Sequence, residues 1–495
     1  MPRQRVLVKR DDSPRPDGAY VLYWMTAQRR VRWNFALQRA IDWAFELDKP
    51  VLVFEALRCD YRWASDRHHR VILEGMLCNR ERLAKRHVTY LPFVERSRGE
   101  GKGLLEALGD NACCIVTDWY PSFFLPRMLD AAAEKVDCRL EAVDSNGLLP
   151  LAAPDKTFHR AVDLRRYLQN HLQPHLLEMP APDPVARLDG RGLDGPQIPE
   201  SVREGWTAAD LDALLAPGGL DDLPIDHDVT PCDFRGGSEA AEQRLERFLD
   251  ERLERYVDGR TDLDDRATSE LSPDLHYGHL SAHEIFSRVA EREEWTPDRL
   301  PSSGRGAREG WWRMSPAAES FLDELVTWRE LGYNGSFRRE DNEEYGALPD
   351  WALETLADHE GDEREHVYSL EQFERAETHD ELWNAAQREL LLDGRIHNYL
   401  RMVWGKKILE WSATPQDALE VMIELNNKYA LDGRDPNSYS GIFWVLGRYD
   451  RAWGPEREIF GKVRYMSSEN TARKMSVKGY LERYGDSAQS QLELD

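Results

Sequence analysis

From residue 20 to 144 the chain alternates between mostly apolar runs and amphipathic stretches. YVLYWM (20–25), PVLVFEAL (50–57), VTYLPFV (88–94), ACCIVTDWY (112–120) and RLEAVD (139–144) read as strands, most of them too apolar to have a solvent face. Between them, 32–47, 68–86 and 122–135 repeat their apolar positions at helical spacing. This alternation predicts an α/β domain, a doubly wound parallel sheet with helices on both faces. No GxGxxG follows the first strand and no GxxxxGK[ST] occurs, so the dinucleotide fingerprint and the P-loop are both missing. A ligand would still be expected at the strand carboxyl ends.

Residues 179–236 are rich in Pro, Gly and Asp and predict a long connector. From 238 onward the period is helical, over 238–257, 281–293, 316–332, 370–376, 380–392, 396–411 and 415–428, which predicts an all-α domain. The expected organisation is an α/β domain over 1–178, a linker over 179–236, a helical domain over 237–485 and a tail over 486–495.

Composition narrows the function classes. The chain has 495 residues, 41% of them hydrophobic, enough for two or three domains with real cores. No apolar run reaches the length of a membrane span, and no apolar segment closely follows the charged start, so a soluble, cytoplasmic protein is expected. The six cysteines form no CxxC pair and no His/Cys cluster, which suits a reducing compartment and argues against a metal site. A net charge of −25, with 12 lysines among 65 basic residues, argues against general affinity for nucleic acid. Residues 448–478 run against that trend, with eight basic and four acidic side chains: either a local DNA-binding patch or a solvated face.

Candidate chemistry begins with IHNYLRMVWGKKILEW (396–411). His397, Arg401, Trp404, Ile408 and Trp411 share one helix face. A core helix with one salt-bridged arginine fits this pattern, and so does a helix lying against a large, flat, partly anionic ligand. Trp328, Trp383 and Trp444 add to the tryptophans of this half; indole packs in cores, and it also stacks on flavins and nucleobases. ELVTWREL places Glu324 and Trp328 four apart, a carboxylate beside a stacking ring. ATSELSPDLHYG places Thr268, Ser269 and Ser272 in a turn before a helix, which fits a phosphate site or a plain N-cap. LDGRDPNSYSGIFW carries Asp432, Arg434 and Asp435, with Asp432 the natural partner of Arg401 if the segments meet.

Seven ordered segments resemble motifs of the photolyase/cryptochrome family, specifically its class II cyclobutane pyrimidine dimer photolyases. They are VLYWMTAQRRVRWNFAL, TSELSPDLHYG, ELVTWREL, EHVYSLEQFERAETHDELWNAAQ, IHNYLRMVWGKKILEW, LDGRDPNSYSGIFW and FGKVRYM, and the resemblance covers nearly the whole chain. It implies an antenna-type α/β domain, a linker and a helical FAD-binding domain. It also implies light-driven repair of damaged DNA, with one electron passing from excited FADH⁻ to a flipped-out dimer. On the cofactor side it implies Tyr256, Thr268, Ser269, Leu271, Ser272, Asn398, Arg401, Asp432 and Arg434 as FAD ligands. Asn426 would lie at flavin N5. Trp404 and Trp383 would re-reduce the flavin, with Tyr368 as terminal donor and Trp411 off the main path. On the substrate side Glu324 would hydrogen-bond the dimer, Trp328 and Trp444 would wall it, Met402 would lie under it, and Lys462 and Arg464 would fill the gap in the duplex. Asn398 and Met402 stand where (6-4) enzymes carry histidines, and neither can shuttle a proton.

Some positions depart from the class. Glu270 stands for a usual Asn, Asp274 for an aromatic and Asn427 for an Asp, while YNGSF (333–337) and VDSNGLLP (143–150) are altered. Glu270 and Asp274 are expected to add negative charge near the flavin phosphates or the DNA strand. A second, antenna chromophore such as a deazaflavin is left open, and no obligate protein partner is evident. The alternative function is a cryptochrome-like blue-light receptor with the same flavin site. A flavoprotein that has lost both roles is the third.

Overall fold

The computed structural model describes residues 2–190, 194–265 and 267–486. The expected tail over 486–495 lies outside these, apart from Asp486. The chain divides into two compact units. One holds residues up to Asp155, Leu168–Glu246 and Glu270–Ser303; the other holds Lys156–Tyr167, Arg247–Ser269 and the chain from Gly304.

The first unit is built on a six-stranded sheet: β1 (Val6–Arg10), β2 (Tyr20–Met25), β3 (Val51–Leu57), β4 (Val88–Val94), β5 (Ala112–Asp118) and β6 (Arg139–Val143), in the order β1-β6-β5-β2-β3-β4. β2 to β6 are parallel. β1, which the apolar pattern did not reveal, pairs antiparallel with β6 at the edge. Its VLVKR is only partly buried, so it lacks the unbroken apolar signature of the central strands. Phe35–Leu47 packs on one face, started by Asn34, whose side chain accepts the Ala36 and Leu37 N–H groups. The 179–236 segment carries short helices. Val185 and Leu188 join the core on one face of the sheet and Val202 the core on the other. Gly195 lies against the edge strand β4, where a Cβ would stand 2.7 Å from the Thr89 nitrogen.

The strand order reverses between β2 and β5, the place where such sheets usually bind ligands. Here the chain fills the place itself. The Asp118 carboxylate accepts the backbone N–H groups of Thr26, Ala27 and Gln28 at 2.8, 2.8 and 2.9 Å and the Tyr23 hydroxyl at 2.8 Å. The altered segment VDSNGLLP continues the network. Asn146 accepts from Gln28 and donates to the Trp119 carbonyl, Asp144 accepts the Asn146 and Leu151 N–H groups, and Ser145 accepts that of Phe35.

The second unit is helical. Pro316–Leu322 and Arg329–Arg338 are joined through a π-helical stretch, Asp323–Trp328, and a second π stretch covers Phe248–Arg252. Such insertions often mark functional sites. Glycines let helices approach closely. A Cβ on Gly332 would stand 2.8 Å from side-chain oxygens of Asn437 and Ser440, and one on Gly405 would stand 2.5 Å from Val445 Cγ2. Both contacts bring neighbours against Pro436–Val445, where LDGRDPNSYSGIFW runs as a turn and then a helix.

Replacing Asp118 with Ala should strand two buried N–H donors and one partly buried one and cost about 3 kcal/mol. Hydrogen exchange at 26–28 should accelerate strongly. Asn at 118, which keeps an acceptor, should show a smaller loss; unchanged protection in Asp118→Ala would contradict this account.

Candidate functional site

The helix Asn398–Trp411 is the centre of the second unit's chemistry. Gly394, at φ 68°, ends the preceding helix Glu381–Asp393, and the His397 N–H donates to buried Glu389, so the new helix starts in a fixed direction. Leu400 and every residue from Val403 to Leu409 are buried, so the helix is enclosed on nearly all sides. Charged groups on it therefore need partners. Arg401 finds Asp432 in a two-pronged pair at 3.0 and 3.3 Å. Asn398 at the start is exposed. Both His397 ring nitrogens are buried without a hydrogen bond of ordinary geometry. Burial lowers its pKa to about 4, so the ring is neutral at pH 7. The Arg260 backbone opposes that lowering, and a buried imidazole short of well-formed bonds on the helix of a half-buried ion pair fits a large polar cofactor better than a closed core.

The end of Pro415–Tyr429 adds amides. Asn426 donates to Ser438 Oγ at 2.6 Å and to Asn427 Oδ1 at 3.2 Å. Asn427 accepts the Arg434 N–H at 2.9 Å and donates to the Tyr439 hydroxyl at 3.1 Å. Both ends of its amide are used, the oxygen as acceptor and the nitrogen as donor. Arg434 itself is buried, with φ 66°.

The rings form a series. Trp404 and Trp383 lie nearly parallel, centroids 6.4 Å apart. The Trp383 indole N–H donates to the Trp404 carbonyl and that of Trp404 to Gln387. Trp411, expected off the path, lies 6.0 Å from Trp383 and 5.7 Å from Tyr368, between the two. One heptad after Trp404, position 411 returns to the same helix face. The Tyr368 hydroxyl meets His379 Nδ1 at 2.7 Å near the surface.

Glu324 and Trp328, both half-buried, lie on the π stretch. Arg260 pairs with Glu324 at 2.8 Å. Burial raises the Glu324 carboxyl above its ordinary pKa while Arg260 pulls it down. Sequence reading missed Arg260, and its one signal was a basic residue just before the run DLDD. Tyr256 is buried edge-on to Phe248 and Phe321, with the Arg260 guanidinium 5.8 Å from its ring centre. The adjacent Asp323 takes Arg165 at 2.8 and 2.9 Å.

Trp444 is half-buried on Pro436–Val445, and Met402 Cε lies 3.8 Å from where a Gly441 Cβ would stand. Arg464 is held by Asp450 at 2.8 and 3.2 Å and lies over Trp453 and Trp444. Lys462 is exposed and pairs with Glu456 at 3.0 Å. The basic segment 448–478 is thus less uniform than its charge count suggested: Arg448 is buried against Asn342.

Of the hydroxyl turn, Thr268 and Ser269 belong to the second unit, and Leu271 and Ser272 to the first. The Thr268 carbonyl accepts from Arg252, Leu271 is buried and Ser272 is exposed. Glu270 has φ 59°, a left-handed conformation that Asn adopts readily and Glu does not, so a glutamate here carries a backbone cost as well as a charge. Asp274 corrects its expectation. It is fully buried and held by Arg244 through both oxygens, so its charge is matched inside the first unit.

No protein-family profile matches the chain. Several curated relatives do. The chain is 34% identical over 482 residues to the deoxyribodipyrimidine photo-lyase of Methanothermobacter thermautotrophicus, covering 97% of this chain and 98% of that one. It is 33% identical to the Oryza sativa protein of that name (96% and 89% covered) and 30% identical to that of Potorous tridactylus (96% and 83%). Among solved structures, an Agrobacterium tumefaciens class III photolyase superposes with TM-score 0.68 at 17% identity, covering 94% of this chain and 86% of that one. A Synechocystis cryptochrome superposes with TM-score 0.63 at 15% identity, covering 94% and 88%. These two share the fold, an α/β unit with a helical one. The chain belongs to the deoxyribodipyrimidine photo-lyase family.

Proposed function

We propose that the chain repairs cyclobutane pyrimidine dimers in damaged DNA, driven by light, as a class II member of its family. The observation that carries this reading is Glu324, a half-buried carboxylate held by Arg260, four residues from Trp328. A receptor has no need of a lesion pocket, so this pair favours repair over the cryptochrome-like alternative. On this reading 1–178 is the antenna-type domain, 179–236 the linker and 237–485 the catalytic domain.

FAD, when bound, supplies the photoexcited electron. The residues of the chain position and protect. Arg401 with Asp432, Asn426, Asn398, Arg434, Tyr256 and the neutral His397 would hold the cofactor, with Thr268, Ser269, Leu271 and Ser272 at its phosphates. Trp404, Trp383, Trp411 and Tyr368 form the route by which electrons reach it from the surface. Trp328, Met402 and Trp444 would receive the lesion, and Lys462 and Arg464 the opened duplex. A deazaflavin antenna would have to be held without the amide nest at the sheet's switch point, because Asp118 occupies it.

Glu324 acts through its proton. Burial raises its pKa and Arg260 opposes this. Asp323 adds to the raising and Arg308 to the lowering, and a lesion that draws Arg260 away tips the balance toward the protonated carboxyl, which donates a hydrogen bond to the dimer's developing charge.

An oligonucleotide with one thymine dimer should regain thymine absorbance under blue light with the reduced holoprotein, and not in the dark. Glu324→Ala should lower the repair rate on the order of 100-fold. Glu324→Gln, a permanent donor, should retain more activity and lose the fall in rate seen as pH rises through the raised pKa. Light-independent recovery would reject the reading.

Asp432→Asn should weaken FAD retention about tenfold, as measured by flavin fluorescence released on dilution. Retention equal to wild type would remove the pair from the cofactor site. Trp383→Phe should abolish flavin photoreduction while leaving repair by chemically reduced protein intact.

A further inference from the structure

Lys406 is fully buried on Asn398–Trp411, one turn beyond Met402. Burying an ammonium is costly without a carboxylate, and among the described residues none lies within ion-pair reach of it. The charged groups facing it are Asp450 and Arg464, and Asp450 is already held by Arg464 through both oxygens. The amine instead donates to the carbonyl of Val445, the last residue of Pro436–Val445, and lies 5.1 Å from the centre of the Trp444 ring. A helix carboxyl end and an indole face are both partners for a cation. The next residue, Lys407, has its own carboxylate, Glu410 at 2.9 Å. Both lysines lie over a tryptophan, Lys407 at 5.1 Å from the Trp411 ring centre, but among the described residues only Lys406 has the ring without a carboxylate.

We propose that Lys406 is a positioning residue for the lesion wall: its ammonium anchors Trp444 to the end of its helix in the orientation that receives a pyrimidine dimer. The proposal rests on the repair reading above. Charged, the amine grips carbonyl and ring together. Neutral, it keeps the carbonyl and loses the ring, leaving Trp444 to the Arg464 guanidinium alone, and the more loosely held indole must be ordered again when the lesion enters. Desolvation lowers the Lys406 pKa to about 7, so the grip is present below neutrality and lost as pH rises through it.

The test is dark binding of a dimer-containing duplex to the holoprotein between about pH 6 and about pH 8.5, with undamaged duplex as control. Specific affinity should fall about fivefold across that range in wild type. Lys406→Met should bind at the weaker level throughout. Lys406→Arg, which stays charged, should remove the slope. FAD content checks that each variant is folded. A flat wild-type profile, or an unchanged slope in Lys406→Met, overturns the proposal. A second readout is the part of the tryptophan emission that is lost in Trp444→Phe. It should titrate with the same midpoint in wild type and not in Lys406→Met. If no dimer is bound at any pH while that emission titrates, the repair reading fails and the Lys406–Trp444 coupling stands. If dimer is bound and the emission does not titrate, the coupling fails alone.

Discussion

Charge buried along a single enclosed helix governs the second unit. Asn398–Trp411 has almost no solvent face, yet it carries Arg401, Lys406 and Lys407. Each charge dictates a neighbour: Asp432 for the arginine, a helix end and an indole for the first lysine, and Glu410 for the second. Even the polar edges of the two stacked tryptophans are spoken for, by a carbonyl and by Gln387. The segments after 415 therefore have little freedom in where they dock. That requirement is met least well at the His397 ring, whose nitrogens are buried without a hydrogen bond of ordinary geometry.

Much of the fold was legible because its periodicities are strong. The parallel strands are apolar enough to be found without neighbours, and the capped helices of the second half keep their 3.6 period. β1 was not legible, because an edge strand needs only one buried side. Pro436–Val445 was ambiguous, since Gly441 and its aromatic run suit a strand as well as a helix. The π stretch at Asp323–Trp328 leaves no composition signature, because it arises from packing rather than propensity.

In the candidate site, the pairing of Arg401 with Asp432 was legible only on the condition that their two segments meet, as they do. Arg260 was not, because its partner lies 64 positions away and nothing in DGRTDLDD hints at Glu324. Lys406 could have been suspected: a lysine within VWGKKILEW has no polar face to occupy. The acidic balance of the chain and its basic segment illustrate the opposite error, since counting charges treats a buried arginine such as Arg448 and a solvated lysine as equal.

The close approach at Gly405 has a consequence for how such chains can diverge. A side chain there would meet Val445 at 2.5 Å and the Met422 sulfur at 3.1 Å, both in packed interior. No single substitution enlarges position 405 without displacing the helix that carries Trp444. A viable path passes first through a smaller residue at 445, after which 405 can grow. The two positions are thus free to drift only as a pair and in one order, and the order is set by steric room alone.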